Sequence, residues 1–434
     1  AFDAVVRFIQ DNNGEDSYLR HAGITALTGM GGAEKLQNHP SEEVRLCAVV
    51  ALRRSKNPAV AEFLKDKSEL VVVEAARAIH DDFSIPEVLP QLARLLTGTE
   101  SSNEPLIRRL INANFRLGGA NEAYVVAEYA SNEANPVSMR LEALSALADW
   151  TEPPPLDRVD GRRRYFKPRP LGEIASSITN MLQGLLSSKD ATMVEKTMTA
   201  ASKLSVQLSP DALKDLLQNR QAPSSLRVKA FKSLRDPKTV TYAMNSQDEG
   251  LRMEAAKFLA KTNLSSATDY LVTRMDRSQS LTEKQTALSL LADLETEAAD
   301  ETIREAARSL SEGRLDKALA LDVIEAATKR GMTAELEGYE KIRPTDTPIG
   351  PFIEALEGGN PEHGRAITQT HLAAQCARCH KFSRGGGSTI GPNLRDIGTK
   401  RDREYLLRAL IAPGADIAPG YGMVTVALKS GETI

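Results

Sequence analysis

Across roughly the first 345 residues, apolar side chains recur at helical spacing and strand-type alternation is almost absent. One pattern repeats: an Arg or a substitute at i, a small residue at i+3 and an aliphatic at i+7. It reads Arg20/Gly23/Leu27, Arg45/Ala48/Leu52, Val72/Ala75/Ile79, Arg140/Ala143/Leu147, Arg227/Ala230/Leu234, Arg252/Ala255/Leu259 and Lys284/Ala287/Leu291, with a weaker copy at Arg108/Ile111/Phe115. Positions i+3 and i+7 share one face of a helix. The small residue lets a second helix come close, and the aliphatic fills the contact. A helix pair built this way leaves apolar surface open on its flank, so the next pair must stack on it. Turn signals separate the copies: KNPAV at Lys56, SIPEV at Ser84 and RDPKT at Arg235. The alternative at this level is a non-repetitive helical bundle.

The array resembles HEAT repeats, with degenerate copies at irregular intervals. The expected fold is therefore all-α, with a HEAT-like α-solenoid over residues 1–345. One stretch interrupts it at about 150–170, DWTEPPPLDRVDGRRRYFKPRPL, where five prolines forbid helix and a basic-aromatic run spans Arg162 to Arg169. It reads as an ordinary insertion between repeats or as a docking loop, and one short cluster in a net-acidic array is weak support for nucleic acid. DNNGED at Asp11 lacks the pattern and the closing Glu of a calcium loop and reads as a turn. Prolines and glycines at residues 346–360 mark a linker around a short helix, and residues 361–434 form a separate small domain.

Charge changes the picture only locally. The chain carries a formal net charge of −3, which excludes a global field for nucleic acid. From Pro361 onward there are ten Lys/Arg against six Asp/Glu, a net of +4, and the remainder is −7. No apolar run reaches the ~18 residues a membrane span needs, so no span is expected, and no signal peptide is visible. AFDAVVRFIQ already reads as amphipathic helix, so the start is expected to be a processing or excision point. Three cysteines cannot make a disulfide framework, and Cys47 lies in a helical pattern as a small core residue.

The other two cysteines carry the chemistry. Cys376-Ala377-Arg378-Cys379-His380 is CxxCH. Two thiols about one helical turn apart can form thioethers to the two vinyl groups of one haem, and the following His projects its imidazole at the iron. Zinc would need four ligands, usually from two separated pairs. A redox dithiol would follow a strand in a βαβ unit. A chance match is the remaining alternative. A ligating imidazole also needs an acceptor for its second ring N–H, and the carbonyl of Pro392, in GPNL, is well placed in sequence. Phe382, Ile390, Leu394 and Ile397 can supply apolar walls, and a helix at KRDREYLLRALIAP follows.

GRAI, CARCH, GGG, GPNLRDIG and YLLRALIAPGADIAPGYGMVTVALKSG, taken together, resemble the C-terminal haem-binding domain of the multidomain c-type cytochromes of planctomycetes and verrucomicrobia. There a HEAT-like region precedes the haem domain, and a sugar-dehydrogenase-like propeller often lies further upstream. The resemblance implies a small class I cytochrome c-like helical domain with a β-hairpin at its C-terminal end. It implies one covalent haem c on Cys376 and Cys379, His380 as proximal ligand and Pro392 as the orienting carbonyl. In that family the distal methionine follows the hairpin, which places it beyond Ile434. Met423, the only methionine after the motif, reads as a hairpin residue, with distal ligation as the alternative. The chain is thus expected to be cut short inside the hairpin. The function expected is electron transfer to or from a redox partner protein or an upstream dehydrogenase domain, in the periplasm or a similar extracytoplasmic compartment. The alternatives are part of an enzyme, sugar-oxidising or peroxidase-like, and a scaffold with a haem sensor.

Overall fold

The computed structural model of the protein describes residues 1–81, 84–166, 169–234, 236–382, 388–422 and 425–432. Helices dominate, and no strand forms among the described residues. The chain divides into two compact units, Ala1–Arg235 and Asp236–Ile434, and this division falls inside the stretch that the repeat pattern spans.

Within each unit, a helix packs on the next in sequence and on the next but one. In the first, Glu42–Arg54 packs on Ser17–Met30 and Glu69–His80, and Glu104–Leu117 packs on Ala120–Ser131 and Val137–Ala148. In the second, Leu281–Leu291 packs on Leu264–Arg277, Glu249–Thr262 and Ala320–Lys329. Second-neighbour packing of this kind marks stacked helix pairs. The small i+3 residues lie where the pattern puts them: Gly23, Ala48, Ala75, Ala143, Ala230, Ala255 and Ala287 are all buried. At Gly23 even a methyl group is too large, since a Cβ would lie 2.5 Å from Cγ1 of Ile9.

The repeated arginine has its own task. Arg140 Nε donates to the carbonyl of Ala130 at 2.8 Å, and Arg227 Nε to that of Leu217 at 3.0 Å. Arg252 Nη1 donates to Ser246 O at 2.7 Å, and Arg45 Nη1 to His39 O at 2.7 Å. These carbonyls lie in the last turn of the preceding helix or just after it, where backbone acceptors lack intrahelical partners. Each arginine therefore ties one helix to the end of the one before. Arg45 also makes a two-point pair with Asp66, at 2.7 and 3.1 Å, in full burial.

The proline-rich insertion folds back onto the first unit. Trp150 is buried, and its ring meets that of Phe115 edge-on at 5.5 Å. The Arg169 guanidinium lies 4.5 Å from the Phe115 centroid and 4.8 Å from that of Trp150. Beside this cluster runs a buried polar chain. Asp157 accepts from Arg116 Nε at 2.8 Å and from Asn112 Nδ2 at 2.9 Å. Asn112 Nδ2 also lies 2.9 Å from His80 Nε2, and His80 Nδ1 lies 2.9 Å from Asp81 Oδ1. Because Asp157 takes the Asn112 amide through its N–H side, that N–H side also faces His80. Nε2 of His80 must then accept, and Nδ1 carries the hydrogen. Arg162, Arg163 and Tyr165 stay exposed.

In the second unit the array ends on a buried carboxylate. Glu354, in the short helix Gly350–Leu356, accepts from Arg343 Nε at 2.8 Å and from Tyr339 Oη at 2.6 Å. Gln285 Nε2 donates to Gly359 O at 3.4 Å, so the chain leading to Pro361 is tied to helix Leu281–Leu291. From Pro361 onward the character changes, and none of the residues described there is buried. The helices are Pro361–Thr370, Cys376–Cys379, Ile397–Lys400 and Arg403–Ile411.

The expected terminal hairpin is not formed as strands among the described residues. Ala427 is a bridge residue and the chain turns after it, with Gly431 N donating to Leu428 O at 2.9 Å and Leu428 N to Glu432 O at 2.8 Å. Val426 is half exposed. Met423 lies outside the described residues.

Candidate functional site

The site starts from a backbone turn. Gln375 adopts a left-handed conformation, φ 42°, and the single helical turn Cys376–Cys379 follows. That turn sets the two thiols one helical step apart. Both are free, Cys376 partly exposed and Cys379 exposed. His380 leaves the helix in an extended conformation, with its N–H donating to Cys376 O at 2.9 Å.

The imidazole is then fixed by the segment after the motif. His380 Nδ1 lies 2.9 Å from the carbonyl oxygen of Pro392. A carbonyl can only accept, so Nδ1 bears the hydrogen and Nε2 keeps its lone pair. Gly391 N donates to Cys379 O at 2.7 Å and Leu394 N to Lys381 O at 2.9 Å, around an isolated parallel bridge between Lys381 and Asn393. These bonds seat the GPNL turn against the CARCH turn. Gly391 is required by close approach, since a Cβ there would lie 2.9 Å from His380 Cε1 and 3.1 Å from Cys379 O. The Phe382 ring meets the imidazole edge-on at 6.3 Å.

Cys376, Cys379, His380, Phe382, Pro392 and Leu394 are thus brought together. Ile390 is 76% exposed. The sequence reading missed Gly391, whose signal was its place between the CARCH and GPNL turns. It also missed Arg403, whose Nη1 donates to Leu356 O at 2.7 Å and ties the module to the end of the array.

The residues present fit a covalently attached haem. Two free thiols stand one helical step apart, a ring-fixed histidine has an unpartnered Nε2 among the described residues, and large apolar side chains lie open. Leu372, Ile390 and Leu410 are all at least 76% exposed. A porphyrin is an apolar body that such side chains could cover. Among the described residues no group of three or more His, Cys, Asp or Glu converges as a metal-holding set.

No family model and no curated protein matches the chain. Among solved structures, the crystal structure of an engineered protein is 17% identical, covering 77% of this chain and 98% of its own at a TM-score of 0.35. That likeness carries no argument.

Proposed function

We propose that the protein is an electron carrier, in which residues 361–434 form a class I cytochrome c-like domain on a HEAT-like array. Cys376 and Cys379 would hold one haem c through thioethers, and His380 would present Nε2 to its iron. The observation that carries this reading is the 2.9 Å bond from His380 Nδ1 to Pro392 O. It selects the tautomer that a metal ligand needs, and the ring has few other reasons to be held so in an exposed turn. Phe382 beside the ring and Leu394 on the GPNL turn would wall the site, and Ile390 would join them by closing over an apolar face. The chemistry that a bound haem supplies is one-electron exchange at its iron.

The protein's own part is to fix the imidazole, to keep the thiols free and reachable, and to hold the module by Arg403. A redox partner protein or an upstream dehydrogenase domain would exchange the electron. Thioether formation would put this chemistry in the periplasm or another extracytoplasmic compartment. The test is a pyridine haemochrome spectrum together with haem staining after denaturing electrophoresis. The colour should migrate with the chain and vanish in Cys376→Ala with Cys379→Ala. Stoichiometric zinc with no haem would overturn the reading.

A further inference from the structure

We propose that the open edge of the proline-rich insertion, at residues 162–166, docks an extended, carboxylate-bearing segment of a partner protein, a reading that does not depend on the haem. An antiparallel bridge joins Leu156 to Arg163, with Asp157 N donating to Arg162 O at 2.9 Å and Arg164 N to Pro155 O at 2.8 Å. These bonds turn the backbone of Arg162 and Arg164 inward, so the N–H and C=O groups of Arg163 and Tyr165 face the other way. Among the described residues nothing in the chain bonds to them. Native folds blunt such edges, because a row of open backbone groups pairs with any passing chain. The opposite edge is blunted here, since Pro153, Pro154 and Pro155 have no N–H to offer. The edge at Arg163 and Tyr165 keeps its N–H groups. The exposed Arg162 and Arg163 make it selective instead: they repel a second copy of the same edge and favour an acidic segment.

The two faces of this ribbon differ. On the inner one, Arg164 pairs with Asp157 and Asp160, and the Phe166 ring meets Phe115 edge-on at 6.0 Å. The edge is therefore held in place before anything binds, which lowers the ordering cost of docking. On the outer face, Leu156 lies directly across the bridge from Arg163, and Tyr165 follows two residues on. Leu156 is 58% exposed and Tyr165 82%, and the Arg163 guanidinium lies 5.6 Å from the Tyr165 centroid. Tyr and Arg are residue types that carry much of the energy of protein interfaces. A carboxylate opposite Arg163 and a β-branched side chain opposite Tyr165 complete the cross-strand pairs. The occupant is a main chain, because the edge offers carbonyls as well as N–H groups. Phosphates, of nucleic acid or of lipid, take the N–H groups but cannot donate to the carbonyls.

The probe is the peptide acetyl-Thr-Val-Thr-Glu-Thr-Val-amide, compared with an analogue N-methylated at its first Val and its Glu, which keeps the charge and loses the ladder. Calorimetry should show binding of the peptide and none of the analogue. Hydrogen exchange read by mass spectrometry should slow in the fragment holding Arg163 and Tyr165 when the peptide is added, and only then. Arg163→Gln should weaken the peptide about fivefold. Lys35→Gln, an equal charge change elsewhere, should leave binding as it is. Equal binding of the analogue would overturn main-chain pairing, and an unchanged affinity in Arg163→Gln would overturn the choice of an acidic segment. Binding of oligo(dT) or of phosphatidylglycerol vesicles with none of the peptide would make the partner a nucleic acid or a lipid surface and overturn the proposal. No binding of the peptide at millimolar concentration would overturn it as well.

Discussion

The carbonyl oxygen of Pro392 takes the Nδ1 hydrogen of His380 at 2.9 Å, across eleven intervening residues. The bond depends on how closely the GPNL turn approaches. Gly391→Ala would bring a methyl group to 2.9 Å from the imidazole, below any ordinary carbon contact, so the ring must turn or the turn must back away. If the proposed haem is bound, the variant should keep it covalently, because both cysteines remain, and should show a displaced Soret band with a shifted reduction potential. A spectrum and potential identical to the parent's would show that the turn does not fix the ring.

Burying a charge at a helix contact should break the array locally. Ala255 is fully buried where helix Glu249–Thr262 meets its neighbours. Ala255→Glu leaves a carboxylate there unpaired and should cost several kcal/mol, on the order of 3–5. Ala143→Glu and Ala230→Glu should behave alike. Urea unfolding followed by circular dichroism measures the loss, and neutral outcomes at all three positions would contradict stacked helix pairs.

Removing one side of the Arg45–Asp66 pair should be worse than removing both. Arg45→Met strands a buried carboxylate and also frees the carbonyls of His39 and Pro40, for about 3–5 kcal/mol. Adding Asp66→Asn should recover part of that, and a double-mutant cycle measures the coupling.

Acid should loosen the clasp between the insertion and the first unit in two stages. Burial pushes the His80 imidazole below its ordinary value, against the opposing pull of Asp81. The unfolded chain therefore takes up a proton that the folded one refuses, and stability falls as pH drops below about 6.5. Burial also pushes Asp157 upward, but Arg116, the Val159 N–H and Asn112 outweigh it and hold the carboxyl well below the usual carboxylate range. Its contribution is present above about pH 4 and is lost as pH falls further. Hydrogen exchange in helix Glu104–Leu117 should speed up over both ranges. His80→Gln should abolish the upper stage and leave the lower.

The helix array was legible because its signal is local. Ala48, Ala75 and Ala255 sit at fixed offsets from their neighbours, and burial follows from the offset. The arginine of the repeat was visible as a letter but not as a tie, because its acceptors are backbone carbonyls such as Ala130 and Leu217, whose place depends on each turn. The insertion showed its prolines, yet Asp157 finds Arg116 41 positions away, and no periodicity links them. CARCH and the Pro392 acceptor could be read from spacing and chemistry. The alternation in YGMVTVALKSG runs through Met423 and Val424, which lie outside the described residues. The fit of the turn at Gly391 needs coordinates, since a glycine between Ile390 and Pro392 looks like any loop glycine.

The buried Trp150 is the chain's single tryptophan and belongs to the first unit. Burial pushes the Cys47 thiol up to about 12, so alkylating dyes at neutral pH would pass it by. They would react with Cys376 and Cys379, which stand open in the second unit. The apoprotein therefore comes with a fluorescence donor in one unit and a selective attachment point for an acceptor in the other. Energy transfer between them would measure, in solution and without engineered cysteines, the separation of the two units and its response to a redox partner.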